Sequence, residues 1–196
     1  MSTKKDLTRK KILETTWHLM EQRVGQDVHM RDIAADVGIS RQALYLHFSN
    51  RTELMIATVA YVDDVKGLNE RLNQLKTADN GGELIDACVN VWGNYIPEIY
   101  GLAKALLKTR DTDEAAATAW DGSMRCLFDV CQEIVETLQS EGILAGRWSQ
   151  KDATEVFMTM LSVYNWEHLV VEYGWSQEQY IDNLKTILKQ TFVENY

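Results

Sequence analysis

The sequence predicts an all-α protein: an N-terminal three-helix bundle containing a helix-turn-helix, followed by a larger helical body, about nine helices in all. Three observations lead there. One proline and eleven glycines in 196 residues leave long stretches without a helix breaker. No segment alternates apolar and polar residues with period two for long, as a half-buried strand would. Apolar residues instead recur three and four apart along most of the chain. With 45% hydrophobic and 25% charged residues the composition is that of an ordinary soluble globular protein.

Taken in order, residues 1–5 are polar and expected to be frayed. From 6 to 24, Ile12, Leu13, Trp17, Leu19 and Met20 fall at helical spacing, and Gly25 is expected to end that helix as a left-handed residue. Two short helices follow at about 30–37 (Met30, Ile33, Ala34, Val37) and 40–48 (Leu44, Phe48), with a glycine turn between them. Asn50 with Glu53 three residues on reads as the N-cap of a longer helix. Its stripe of Leu54, Ala57, Tyr61, Val65, Leu68, Leu72 and Leu75 predicts one uninterrupted run to Lys76. The domain boundary is placed inside that helix, giving 1–55 and 56–196.

After a break at 77–82, two helices are expected at 83–96 and 97–109, with Pro97 in the first turn of the second. Another long helix spans 112–140. The segment 150–173 is apolar or aromatic nearly all round, and a helix apolar on every side is buried on every side. Its second buried side, together with the stripe of 177–194, is therefore expected to meet another copy of the chain, giving a homodimer.

The net charge of −9 is unevenly spread. Residues 1–55 hold nine Lys/Arg against seven Asp/Glu, while the rest holds eleven against twenty-two. A mildly basic head on an acidic body can still dock on a polyanion, because only the docking face must be positive. Cys88, Cys126 and Cys131 form no C-x-x-C pattern, and an odd count argues against a disulfide framework, so a reducing cytoplasm fits best. Lys4, Lys5, Arg9, Lys10 and Lys11 resemble the basic end of a signal peptide, but Glu14 and His18 interrupt any apolar run behind them. No run approaches a membrane span. The four histidines stand apart from each other and from the cysteines, so no metal is expected. No phosphate-cradling glycine loop or nucleophile elbow occurs, so neither a cofactor nor an enzymatic activity is expected.

Placed on a helix at ~100° per residue, the stretch 40–48 turns Leu44 and Phe48 inward. Gln42, Ala43 and Leu46 lie on the opposite arc, with Arg41 and Tyr45 on one flank and His47 on the other. Such an arc suits a DNA major groove. Gln42 can pair with an adenine edge, Ala43 or Leu46 can touch a thymine methyl, and Arg41 can reach a guanine or a phosphate. Tyr45 and His47 sit where the groove walls run. Arg51 and Arg31, each at a helix start, add cations beside free backbone N–H groups. Singly, each of these residues reads as ordinary packing or solvated surface; their joint placement favours the functional reading.

The pattern Ile33-Ala34-x-x-Val37-Gly38-Ile39-Ser40-x-x-x-Leu44-Tyr45-x-His47-Phe48-x-Asn50-Arg51-x-x-Leu54 resembles the DNA-binding signature of the TetR family of bacterial transcriptional regulators. The resemblance covers roughly residues 11–59. It implies an all-helical homodimer that binds a DNA operator and is released by a small-molecule inducer held in the C-terminal domain. It places Tyr45, His47 and Arg51 at phosphate contacts and Arg41, Gln42, Ala43 and Leu46 toward the bases. The chain departs from the pattern where a Ser or Thr often caps the second helix: it has Val28 and His29, and His29 can cap only weakly. Candidates to line an effector pocket are Trp92, Tyr95, Trp120, Met124, Phe128, Tyr164 and His168, with Tyr100 and Trp166 beside them. Taken singly, each is as well explained as core. The alternative to a regulator is a helical ligand-binding or interaction module that no longer binds DNA, and the basic and polar residues around α-helical positions 41–51 weigh against it.

Overall fold

The computed structural model describes residues 3–194, which form ten α-helices, a 3-10 turn at Gln74–Thr77 and a π-helical segment at Glu167–Glu172. The helices are α1 (Lys4–Gln22), α2 (Met30–Val37), α3 (Arg41–Tyr45), α4 (Arg51–Val65), α5 (Leu68–Asn73), α6 (Gly81–Thr109), α7 (Glu114–Ser140), α8 (Gln150–Met160), α9 (Val163–Trp166) and α10 (Gln177–Phe192). The chain divides into two compact units. One runs to Lys66 and takes in Ile99–Ser123; the other comprises Gly67–Glu98 and the chain from Met124 onward.

In the first unit α1 packs on α2 and α4, and α2 on α3. Ile12, Ile33, Leu44, Phe48 and Leu54 are fully buried there. Burying each such side chain contributes about 1.5–3 kcal/mol. The expected fraying at the start falls partly outside the described residues, since residues 1 and 2 are not among them. Lys4 and Lys5, however, are helical. Thr3 Oγ1 accepts from the Asp6 amide at 3.2 Å and the Asp6 carboxylate accepts from the Thr3 amide at 2.8 Å, a closed capping box. At the other end α1 stops at Gln22 with Arg23 as its cap, and Gly25, at φ 82°, lies in the turn beyond.

Three expectations about helix ends are corrected. The single helix from Asn50 to Lys76 is two helices, because Gly67 adopts the left-handed φ of 66° that a continuing helix excludes. The apolar stripe runs on through 68, 72 and 75, which is why spacing alone missed the break.

The two helices expected at 83–96 and 97–109 are one, α6, with Pro97 inside it. Proline removes the N–H that would reach the carbonyl four residues back, here that of Gly93. The side-chain amide of Gln177, at the start of α10, donates to that carbonyl instead. Gly93 also lacks the Cβ that would come within 2.6 Å of Ile181 Cγ1, so α10 can lie close against it.

The expected helix at 150–173 breaks after Met160. Ser162 caps α9 by accepting from the Asn165 amide at 3.2 Å, and Asn165 Nδ2 turns back to the Thr159 carbonyl at 2.9 Å. The indole N–H of Trp92 donates to the Leu161 carbonyl freed at the break. On the single chain this segment leaves Tyr164, Val171 and Tyr173 exposed, as is Ile187 of α10, on the side expected to meet a second copy. The second unit closes on itself at the end of α10. Ala145 donates to the Phe192 carbonyl and Glu194 to that of Ile143, both at 2.8 Å, while Trp148 and Phe157 pack their rings on Phe192.

Candidate nucleic-acid interface

The turn between α2 and α3 is built by Gly38. At φ 80° its N–H reaches the Ala34 and Ala35 carbonyls, and the Ile39 N–H reaches Ala34 as well. This closes α2 with paired bonds that need a left-handed residue. Ser40 Oγ then accepts from the Ala43 amide at 3.1 Å and starts α3. At the head of α2, His29 makes no side-chain cap.

α3 is shorter than the expected 40–48. The amides of His47 and Phe48 both fall back on the Leu44 carbonyl, and the chain turns at once into α4. There Asn50 Oδ1 accepts from the Glu53 amide at 2.8 Å. The Glu53 carboxylate does not return to Asn50 but takes the amide and hydroxyl of Ser49, at 2.7 and 2.6 Å.

Leu44 and Phe48 are wholly buried, which fixes what the other side of this segment presents. Arg41 and Gln42 are exposed, Tyr45 is 43% exposed and Leu46 80%. Ala43 and His47 are half-buried, and His47 Nδ1 is enclosed without a hydrogen-bond partner among the described residues. An aliphatic side chain standing so far into solvent is poorly explained by packing.

The cations divide into two groups. Arg31 is 72% exposed, with Asp32 at 3.4 Å, and Arg41 is exposed. Arg51 is different. Its Nε donates to the Val28 carbonyl at 2.7 Å and its Nη1 to Asp113, leaving 22% of the side chain exposed. The guanidinium placed by sequence at a phosphate is thus turned inward. Two basic residues of α1 that the sequence did not point to as part of the motif also bond to main-chain carbonyls, Arg9 half-buried and Lys11 exposed. Arg9 Nη1 donates to the His47 carbonyl at 2.6 Å, its guanidinium carbon 4.0 Å from the centre of the Phe48 ring, and Lys11 Nζ donates to the Val37 carbonyl at 2.9 Å. Their partners lie 38 and 26 residues away, so no local pattern could have announced them.

Asp113, also missed, caps α7 through the amides of Ala115 at 3.0 Å and Ala116 at 3.4 Å. Burial works to raise its carboxyl. The hydrogen bond and charge of Arg51, with those two amides, outweigh burial and hold Asp113 below the usual carboxylate range.

Of the candidate effector residues, Trp120 is buried and belongs to the first unit, and Trp92, Tyr95, Met124, Phe128, Tyr164 and His168 belong to the second. Trp92 and Tyr95 are neighbours, ring centres 6.0 Å apart, and Tyr95 is fully buried with the Arg71 guanidinium 5.8 Å over its ring. Met124 and Phe128 are half-buried on α7. Tyr164 is exposed, and His168 forms a surface pair with Glu172 at 2.7 Å.

Two helices set by a left-handed glycine, with a buried Leu/Phe pair turning polar residues outward, define a helix-turn-helix module of the DNA-binding class. Residues 12–58 match the family model described as bacterial regulatory proteins, tetR family, so this segment is similar to that family's N-terminal domain. Among curated proteins no sequence matches. Solved structures show the same fold over almost the whole chain. A transcriptional regulator from Saccharomonospora viridis in complex with choline has 15% identity over 95% of this chain and 98% of that one, with a TM-score of 0.73. NalD of Pseudomonas aeruginosa, the secondary repressor of the MexAB-OprM multidrug efflux pump, has 15% identity over 98% and 100%, with a TM-score of 0.71. AibR, in complex with isovaleryl coenzyme A and operator DNA, has 21% identity over 94% and 98%, with a TM-score of 0.66.

Proposed function

We propose that the protein is a ligand-responsive transcriptional repressor, held on a palindromic operator as a homodimer and released by a small-molecule inducer. The observation that carries this reading is the outward arc of α3: Arg41, Gln42 and Leu46 exposed over a fully buried Leu44 and Phe48, within a segment matching the family's domain. The head of residues 1–55 reads DNA, and the body from residue 56 holds the inducer and the second copy. Structures of the same fold carry choline or an acyl-coenzyme A with operator DNA, which supports inducer control without naming the inducer here.

Dimerisation through 150–173 and 177–194 is supported by Tyr164, Val171, Tyr173 and Ile187, large apolar side chains that one chain leaves in water. Two recognition helices about 34–36 Å apart would then enter successive major grooves. Inducer acts to the extent that it binds the released state better than the DNA-bound one. The reading places the protein in the cytoplasm, as a regulator and not an enzyme; among the described residues no helix is long and apolar enough to cross a membrane. The test is binding of the purified protein to the duplex upstream of its own gene. Saturable, salt-sensitive binding that competitor DNA does not displace is expected; binding no tighter than to unrelated duplex overturns the reading.

A further inference from the structure

We propose that Arg9, Lys11 and Arg51 are positioning residues for DNA recognition: three cations that hold the helix-turn-helix by its main-chain carbonyls and make no phosphate contact themselves. The inference rests on the DNA-binding reading above and adds which cations of the head do which work.

The three acceptors mark out the motif. Val28 precedes α2, Val37 is its last residue, and His47 lies in the turn that follows α3. All three donors come from outside the motif, Arg9 and Lys11 from α1 and Arg51 from α4. The acceptors are groups that the local structure leaves unfilled. The carbonyls at the end of a helix have no intrahelical partner and carry the negative end of its dipole. At α2 the three bonds of the Gly38 turn use the Ala34 and Ala35 carbonyls and leave that of Val37 for the Lys11 ammonium. Arg9 makes a second contact by lying over Phe48, the side chain that seats the end of the recognition segment in the core. Arg51 is fixed twice, by Val28 and by Asp113. Three points along the segment therefore determine the angle at which Gln42 and Leu46 are offered, and none depends on a side chain of the reading face.

A cation spent in this way differs measurably from one that meets DNA. Each phosphate neutralised by a protein cation adds about 0.9 to the slope of log affinity against log salt. A positioning cation contributes to affinity and leaves that slope alone. Full-length wild type, Arg9→Met, Lys11→Met and Arg51→Met are titrated with the upstream duplex at several salt concentrations, with Arg31→Met and Arg41→Met for contrast. Amide hydrogen exchange over residues 38–48 is followed in the same proteins without DNA.

The expected result is affinity lowered about tenfold for Arg9→Met and Arg51→Met and less for Lys11→Met, with the salt slope unchanged. Exchange in 38–48 should be faster, and Arg9→Lys, which keeps a donor for His47, should recover part of both effects. A slope reduced by about one unit for any of the three substitutions, or unaltered affinity, overturns the proposal. Should Arg51→Met fail to fold, Arg51→Lys and the two α1 variants carry the same test. Should wild type bind no specific duplex, the DNA-binding reading falls separately, and exchange then decides: protection in 38–48 lost in the variants upholds the framing, and protection unchanged overturns it.

Discussion

The Asp113 carboxylate takes the guanidinium of Arg51, 62 residues away in sequence, while the same oxygen caps α7 through the amide of Ala115. Asp113 is 7% exposed at its side chain, so this pair is largely shielded from water. Asp113→Ala would leave Arg51 half-satisfied and α7 uncapped, at about 2–4 kcal/mol, on the order of 10 °C in melting temperature for a chain of this size. Asp113→Asn, which still caps, should lose less. The carboxyl is held below its usual value, so its stabilisation is fully present above the unfolded-state value and is lost as pH falls through the depressed one. Denaturation midpoints followed into acid should drop more shallowly for Asp113→Asn than for wild type.

Leu46, 80% exposed, should separate folding from recognition. Leu46→Ala is expected to leave the melting temperature within about 2 °C, since the removed atoms lie largely in water. Operator affinity should fall severalfold, and Gln42→Ala should additionally flatten discrimination among single-base operator variants. Equal loss on every sequence would place these residues on the backbone.

Pro97 and Gln177 should be thermodynamically coupled. Gln177→Ala leaves the Gly93 carbonyl buried without a donor, at about 1–3 kcal/mol. Pro97→Ala restores the missing backbone N–H, so Gln177→Ala in that background should cost distinctly less. Additive effects in a double-mutant cycle would show that the proline is tolerated for another reason.

Cys126 is exposed, whereas Cys88 and Cys131 are buried. Burial pushes the Cys88 thiol up to about 12 and that of Cys131 further, so neither supplies thiolate at neutral pH. A thiol reagent should therefore titrate Cys126 alone in the native protein and the other two only on unfolding. Rapid native reaction at Cys131 would mean that this part of the core opens.

The apolar face of the last helices gives a fifth readout. Val171→Asp and Tyr173→Asp, both at exposed positions, should convert a dimer to monomer in sedimentation without lowering helix content. An unchanged association state would move the dimer contact elsewhere.

Reading the chain as sequence worked best where structure is set locally. The motif around Gly38 follows from a few adjacent residues: periodic apolar positions, one left-handed glycine and a serine cap. The helix breaks were illegible for the opposite reason. Pro97 lies inside a helix whose Gly93 carbonyl is met by a side chain 84 residues further on, and Gly67 ends a helix although the apolar stripe continues past it. The inward turn of Arg51 was hidden because its partners lie 23 and 62 residues away. Aromatic identity likewise does not say which way a ring faces: Tyr95 is enclosed and Tyr164 stands in water, though both read as pocket candidates.

Because Arg9, Lys11 and Arg51 all grip carbonyl oxygens, the scaffold is indifferent to the letters written at positions 41, 42, 43 and 46. Main-chain oxygens survive any substitution. On the proposed DNA-binding reading, descendants of this protein change what they recognise by a few exchanges on one small face, with no accompanying repair in the core. Drift in target preference is cheap here, and drift in the grip is not.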